Sequence, residues 1–205
     1  MRIVSGKYRG RTINPPRNLR ARPTTDFAKE NLFNVLVNLV DFEELDVLDL
    51  FSGTGSISYE FASREAHSVT SVEINSVHHN FIRQTARDLK FENFYAVKAN
   101  VFLYLKSCAK KFDLIFSDAP YDLEGSEEIV SLVFERDLLA DDGIFIFEHS
   151  TSLATLSTAV CVLASLISPD ITMSTSFESE TRSTSINSSS SRSVSPMSNP
   201  PAANI

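Results

Sequence analysis

The sequence has only two cysteines and no long apolar run, and each absence excludes a class of protein. Cys108 and Cys161 lie too far apart in the chain to form a zinc motif. No apolar run reaches the roughly 18 residues of a membrane span, and the first residues lack the apolar region of a secretory signal. We therefore expect reduced thiols, no membrane partner and a cytoplasmic protein.

Acidic residues are absent from the first 25 positions, although the chain as a whole has a net charge of −7. This stretch holds seven basic residues, which are Arg2, Lys7, Arg9, Arg11, Arg17, Arg20 and Arg22. Because attraction to phosphate depends on the local potential, such a segment can bind nucleic acid even on an acidic protein. A solvated arm without a partner fits the charge equally well.

By composition the chain divides into three segments. Residues 1–25 form a basic arm, whose glycines and prolines predict short strands and turns. Residues 26–150 alternate strand-like and helical patterns, which predicts an α/β domain with a doubly wound, mostly parallel sheet. Residues 151–205 are rich in serine and threonine, and disorder is expected from about residue 174.

The middle segment contains five predicted strands, at 47–51, 68–73, 95–99, 112–117 and 143–148. Apolar residues at helical spacing predict helices over 26–40, after residue 75 and over 129–138. The first helix is expected to be capped by Thr25 or Asp26, and the second by Asn75 or Ser76.

A glycine turn follows the first predicted strand, between Asp49 and Ser58. Gly53 and Gly55 let the backbone turn sharply and approach a ligand closely, because they carry no Cβ. A dinucleotide-binding turn would have a third glycine near position 58, where this chain has serine. The carboxylate of Asp49 instead suits the ammonium and sulfonium groups of S-adenosylmethionine. An ordinary strand–turn–helix connection is the alternative.

Two polar residues follow later strands of the predicted sheet. Glu73 ends the second strand, 24 positions after Asp49 (73 − 49), where an acid can accept hydrogen bonds from both hydroxyls of a ribose. Asn100 follows the third strand, where its amide could meet an adenine amino group. A loop asparagine without a ligand is an equally good interpretation of Asn100.

The sequence Asp118-Ala119-Pro120-Tyr121 ends the fourth strand, at the edge where parallel sheets bind ligands. The carboxylate of Asp118 and a nearby main-chain carbonyl can accept hydrogen bonds from an exocyclic base amine and orient its lone pair toward a methyl donor. Pro120 stiffens the loop, and Tyr121 offers a face for a flipped base. A simple turn is the alternative for this motif alone.

Two other chemistries are disfavoured. His78 and His79 lie in a predicted helix with no cysteine nearby, so surface positions are favoured over metal ligation, and no metal is expected. Neither cysteine is placed to act as the nucleophile of cytosine C5 methylation.

On these residues the chain resembles the RsmD-type family, the guanine-N2 methyltransferases of bacterial small-subunit (16S) ribosomal RNA. The resemblance runs from Met1 to about Ser150. Many amino methyltransferases share the glycine turn and the Asp118 motif. The specific part lies in two N-terminal stretches, from Arg2 to Arg11 and from Arg22 to Asn34.

The resemblance implies a Rossmann-like class I fold, with S-adenosylmethionine as the methyl donor and ribosomal RNA or the small ribosomal subunit as partner. For the cofactor it implies five residues: Asp49, Gly53 and Gly55 at the methionine end, Glu73 at the ribose and Asn100 at the adenine. The implied target-base site consists of Asp118, Ala119, Pro120 and Tyr121. The residues implied to bind RNA phosphates are Arg2, Lys7, Arg9, Arg11, Arg20 and Arg22. A monomer is expected.

Three departures from the family pattern stand out. Ala119 replaces a second proline, which makes the loop less rigid, and Asn100 replaces an aspartate. After Ser150 the family continues with an antiparallel hairpin, and this chain shows no such pattern. We therefore expect the fifth strand to form an edge with unpaired backbone groups. An adenine-N6 DNA methyltransferase, a glutamine methyltransferase and a catalytically silent RNA-binding protein remain as alternatives.

Overall fold

The computed structural model describes residues 1–16, 19, 24–120, 123–150 and 158–164, with residues 149–150 and the last range described by their backbone alone. Six strands in these ranges form one sheet, in the order β3-β2-β1-β4-β5-β6. The strands are β1 (Asp46–Leu50), β2 (Ser68–Glu73), β3 (Phe94–Lys98), β4 (Phe112–Asp118), β5 (Leu139–Ser150) and β6 (Thr158–Ala164).

Helices connect the strands and cover both faces of the sheet. They are α1 (Asp26–Leu36), α2 (Ser56–Ser63), α3 (Ser76–Asp88), α4 (Val101–Ser107) and α5 (Glu127–Glu135), and a 3-10 turn spans Phe42–Glu44. Two cap predictions are confirmed: Thr25 accepts a hydrogen bond from Ala28 N, and Asn75 accepts one from Val77 N. The first helix ends at Leu36, four residues before the predicted end at 40. Within the described ranges, no helix has the length and apolar character to cross a membrane.

The predicted fold class is confirmed, because β1 to β5 pair in parallel throughout. β1 lies between β2 and β4, so the strand order reverses on either side of it. In open α/β sheets, ligands bind at such a switch point, outside the carboxyl ends of the strands.

Alternate residues of each strand enter two different core layers. On one face, Val47, Val69 and Leu114 pack with residues of α1 and α2. On the other face, Leu48 and Ile115 belong to the cluster that includes residues of α4 and α5. A parallel sheet covered on both faces requires such near-continuous apolar strands, which is the pattern that the sequence shows.

The expectation that the fifth strand forms an unpaired edge is wrong. β6 pairs antiparallel with β5, from Ile144 opposite Ala164 to Ser150 opposite Thr158. The physical reason lies in the run from Thr158 to Ala164, which is apolar and β-branched enough to satisfy the backbone groups of β5. The sheet therefore continues beyond the predicted domain boundary at residue 150. The disorder predicted from about residue 174 falls outside the described residues.

The basic start of the chain is a hairpin that packs on the domain, which we call the N-terminal hairpin (residues 1–13). Arg2 and Thr12 form an antiparallel bridge, as the prediction of short strands and turns requires. Ile3 and Ile13 are buried in one cluster with Tyr59 of α2. Gly6 has a φ of +81°, and a Cβ there would lie 1.9 Å from a main-chain carbonyl oxygen of α2, so only glycine fits.

Candidate active site

Three predicted acids lie at the carboxyl edge of the sheet and on one of its faces. The register pairs Asp49 with Ser71 and with Phe116, so Glu73 and Asp118 each lie two residues further along on either side of β1. Because side chains alternate between the faces of a strand, all three acids project to the face that α2 covers. The structure thus brings Asp49, Glu73 and Asp118 together, as their positions in the sequence predicted.

Asp49 is almost completely buried. The hydroxyl of Ser58 on α2 donates a hydrogen bond to its carboxylate. Burial raises the pKa of Asp49 to about 7, and the charge of Asp118 on the neighbouring strand adds to the shift. Among the ion pairs of the described residues, none involves Asp49. A buried carboxyl without a cation is the arrangement that a positively charged ligand would complete.

Glu73 is held at the end of β2 by two main-chain donors. Gly53 N donates to Oε2 at 2.9 Å and Asn75 N donates to Oε1 at 2.6 Å. The first of these bonds joins the acid directly to the glycine turn. His78 Nδ1 lies 3.9 Å from Glu73 Oε2, and the His78 side chain is half-buried. His78 therefore lies beside the site and not at the surface position that the sequence suggested. Main-chain bonds hold the carboxylate in one orientation, and each oxygen retains a second lone pair for a ligand hydroxyl.

The glycine turn leads from β1 into α2. Gly53 and Gly55 both have positive φ values, of 55° and 81°. Gly55 is the N-cap of α2 and offers no side chain, so the first main-chain N–H groups of the helix are left for another acceptor. A Cβ on Gly55 would lie 2.7 Å from the ring of Tyr59, so the turn packs closely against this side chain of α2. The positive φ values give the turn the sharp backbone path that the two glycines predict.

The N-terminal hairpin reaches the same turn. Thr54, between the two glycines, donates a hydrogen bond from its hydroxyl to Met1 Sδ at 3.6 Å. Arg2 pairs with Asp26 at 3.5 Å, which places the start of α1 beside the hairpin. The basic segment therefore lies next to the candidate cofactor site, a proximity that charge alone did not reveal.

The Asp118 motif is only partly described. Asp118 is half-buried, Ala119 is buried and Pro120 is exposed, while Tyr121 falls outside the described residues. Burial raises the pKa of the Asp118 carboxyl. A main-chain carbonyl of the motif and the Asp118 carboxylate remain the two candidate acceptors for an amine.

Asn100 has a structural role at the end of β3. Its side-chain oxygen accepts a hydrogen bond from Leu103 N at 3.2 Å and caps α4. The amide nitrogen is the group left for a ligand, so an adenine contact here would be a donor contact rather than the acceptor contact that an aspartate makes.

The predicted RNA-binding residues divide into three groups. Arg2 and Lys7 form ion pairs with acids of α1 and with Glu65. Arg9 and Arg11 are exposed on the hairpin, and no ion pair within the described ranges involves them. Arg20 and Arg22 fall outside the described residues.

The sequence pattern gives no site role to three residues at this edge, which are Ser58, His78 and Glu148. Ser58 stands where a dinucleotide-binding turn would have a third glycine, and from the first turn of α2 its hydroxyl donates a hydrogen bond to Asp49. Glu148 ends the fifth predicted strand, and its pairing with Asp118 in the register appears only in the assembled sheet. The available signal was that an acid ends the fifth predicted strand, as acids end or lie near the ends of the first, second and fourth.

Comparison with known proteins places the chain among methyltransferases. The family model described as conserved hypothetical protein 95 matches residues 1–164. Ribosomal RNA small subunit methyltransferase D of Buchnera aphidicola (subsp. Baizongia pistaciae) is 30% identical over 158 residues, which cover 77% of this chain and 80% of the relative.

Solved structures share the fold. One is the structure of yhhF from Escherichia coli, which is named as a methyltransferase. It is 30% identical to this chain with a TM-score of 0.67, and the match covers 76% of this chain and 83% of the yhhF chain. Another is coclaurine N-methyltransferase bound to N-methylheliamine and SAH, which is 21% identical with a TM-score of 0.51. The match covers 60% of this chain and 35% of that chain, and it shows the fold alone. The architecture is the Rossmann-like class I fold of S-adenosylmethionine-dependent methyltransferases.

Proposed function

The chain belongs to the conserved hypothetical protein 95 family, as its RsmD-type resemblance predicted, and we propose that it methylates ribosomal RNA with S-adenosylmethionine. In its finer form the proposal is transfer to the exocyclic N2 amine of a guanine in small-subunit ribosomal RNA. The observation that carries it is the convergence of Asp49, Glu73 and Asp118 on one face of one sheet edge.

The residues at the glycine turn fit the cofactor. The buried Asp49 carboxyl lacks a cationic partner among the described ion pairs, and the ammonium of a methionine moiety supplies one. Glu73 faces the turn with lone pairs for ribose hydroxyls, and Gly55 leaves the first N–H groups of α2 open to the carboxylate of the methionine. Bound S-adenosylmethionine would supply an electrophilic methyl group.

Asp118 has the properties that the acceptor amine requires. The lone pair of an amine conjugated to a base is delocalised, so the amine is a weak nucleophile that must be oriented. A half-buried carboxylate can accept one N–H bond and hold the nitrogen in place. The raised pKa of Asp118 also suits it to take the proton that the amine loses on methylation.

The N-terminal hairpin supports an RNA substrate. Arg9 and Arg11 extend from a hairpin that contacts the glycine turn through Met1. Cations beside the reacting edge can bind phosphates while a base enters the site. The named relative acts, by its name, on small-subunit ribosomal RNA.

The direct test is transfer of tritium from labelled S-adenosylmethionine to ribosomal RNA, with duplex DNA and protein as parallel substrates. The RNA comes from a strain that lacks the enzyme, both naked and as the small subunit. We expect label in RNA alone, recovered as N2-methylguanosine. Label in DNA or protein instead would favour the adenine-N6 or glutamine alternatives. A silent RNA-binding protein would give no heat on titration with S-adenosylmethionine.

Asp118→Ala is expected to lower transfer by about 100-fold or more, because the oriented amine and its proton acceptor are both lost. Affinity for S-adenosylmethionine, measured by calorimetry, should change little. The exposed Asp141 provides the control, since it lies near the amino end of β5 and Asp141→Ala removes a carboxylate far from the carboxyl ends of the strands. Retention of most of the activity by Asp118→Ala would contradict the site assignment.

A further inference from the structure

Glu148 is a fourth acid at the carboxyl edge of the sheet. A ligand role for Glu148 rests on the proposed function, because that function supplies the base that Glu148 would bind. It lies on β5 directly opposite Asp118 on β4 in the parallel register. Paired residues on neighbouring strands lie about 5 Å apart. The two carboxyl groups therefore belong to one small region of the edge.

The two acids also share a face. Leu114 pairs with Ile144 and Phe116 pairs with Ile146, and all four belong to the apolar cluster on the α1 and α2 side. Two residues further along each strand come Asp118 and Glu148. By the alternation of side chains, Glu148 projects to the same face as Asp118 and Asp49.

The backbone at Glu148 is held from both sides. β4 pairs with it on one side, and β6 places Val160 opposite it on the other. The side chain is half-buried, like that of Asp118. Pairing on both sides fixes the backbone position of Glu148, which a specificity-determining group requires.

Guanine presents two adjacent donors on its Watson–Crick edge, the N1–H and the N2 amine. Adenine presents an acceptor at N1, as does 2-aminopurine, which nevertheless keeps the 2-amino group. An ionised carboxylate only accepts hydrogen bonds, so it pairs with N1–H and repels an N1 lone pair. A site with a carboxylate at this position would therefore distinguish bases by the proton on N1.

We propose that Glu148 accepts the N1–H of the target guanine while Asp118 accepts from the N2 amine, so that Glu148 is the residue that selects guanine. Glu148 would touch the base but take no part in methyl transfer itself. Its loss should therefore alter the choice of base more than the chemistry of the amine. A purely structural role for Glu148 would lower activity on every base alike.

The test compares two acceptor bases in the full chain and in Glu148→Gln. The acceptor nucleotide is first located by mass spectrometry of the RNA that the wild-type chain methylates. The same RNA, assembled by ligation and presented naked or in the small subunit as the first assay requires, then carries guanine or 2-aminopurine at that position. The measured quantity is the ratio of kcat/KM for the two bases.

The wild-type chain should prefer guanine by roughly 100-fold or more, because a site built to bind an N–H strongly rejects a base that lacks it. In Glu148→Gln the amide can donate to N1 of 2-aminopurine, so the ratio should fall at least about tenfold. 2-Aminopurine also lacks the O6 of guanine, but that loss is common to both proteins and cancels in the comparison.

Glu92→Gln, an exposed position on the loop before β3, is the matched control and should keep the wild-type ratio. Melting temperature and affinity for S-adenosylmethionine check that Glu148→Gln is folded. Equal losses on both bases, which leave the ratio unchanged, would overturn the inference and leave the proposed function intact. If Glu148→Gln does not fold, Glu148→Ala replaces it, because alanine also removes the acceptor for N1–H, and an unchanged ratio in that variant would overturn the inference in the same way. A wild-type chain that methylates no ribosomal RNA would overturn both.

Discussion

At the scale of single residues, the candidate site is a set of carboxyl groups whose burial sets their properties. Asp49 is nearly inaccessible, and Asp118 is half-buried one strand away. Burial disfavours the charged form of each, and two such groups close together reinforce the effect. This arrangement costs stability in the free protein and favours any ligand that brings a positive charge.

Asp49→Asn tests this electrostatic argument. The pKa of Asp49 is raised from an ordinary value of 3.8 to about 7, so between these values the folded protein holds a proton that the unfolded chain has released. The contribution of Asp49 to the free energy of unfolding therefore falls as the pH rises through this window and levels off above about pH 7. Asn does not titrate, so the stability advantage of Asp49→Asn over the wild-type chain should grow from pH 5 to pH 7 in urea unfolding.

The same substitution should weaken the binding of S-adenosylmethionine. Binding needs the charged carboxylate, so the wild-type affinity should rise with pH up to about 7, whereas that of Asp49→Asn should stay nearly flat. Calorimetry at several pH values measures both. A parallel pH dependence in the two proteins would show that another group controls binding.

At the scale of elements, one buried ion pair joins the N-terminal hairpin to two helices. Lys29 of α1 and Glu60 of α2 are both almost completely buried, and their charged atoms lie 3.2 Å apart. Glu60 also accepts a hydrogen bond from Val4 N of the hairpin at 2.7 Å, and Lys29 donates to the Arg2 carbonyl. The hairpin is therefore positioned by polar contacts as well as by Ile3 and Ile13.

Glu60→Gln should destabilise the protein by about 3 kcal/mol, because it leaves the ammonium of Lys29 buried without its main counter-ion. The effect should appear in urea unfolding as a lower midpoint with an unchanged slope. Glu65→Gln is the control, since the pair between Glu65 and Lys7 is exposed and should contribute little. Similar midpoints for the two variants would contradict a central role for the buried pair.

At the scale of the whole molecule, the sheet depends on its last strand. Without β6, the long strand β5 would expose backbone groups from Ile144 to Ser150. A chain ending after residue 157 should therefore melt at a lower temperature and aggregate more than a chain ending after residue 164. These two chains differ only by β6, so calorimetric melting of both isolates its contribution. Equal melting temperatures would show that β5 does not need this partner.

Much of this architecture could be predicted, and the failures have identifiable causes. The five parallel strands and the caps at Thr25 and Asn75 followed from local patterns, because periodicity and capping depend on neighbours in the chain. β6 could not be predicted because the residues before Thr158 carry no turn signal that marks a hairpin, and an apolar, β-branched run does not by itself show which strand it pairs with. The cap role of Asn100 likewise depended on where α4 begins.

The sequence by itself determined the order of strands and helices, the glycine turn and the acids that end the strands. Those features depend on residue type and spacing, which are local. Only the tertiary structure decided that Asp118 and Glu148 are paired on neighbouring strands and that the basic hairpin contacts the glycine turn. Both are contacts between segments far apart in the chain, and their geometry is set by sheet register and core packing, which no local pattern encodes.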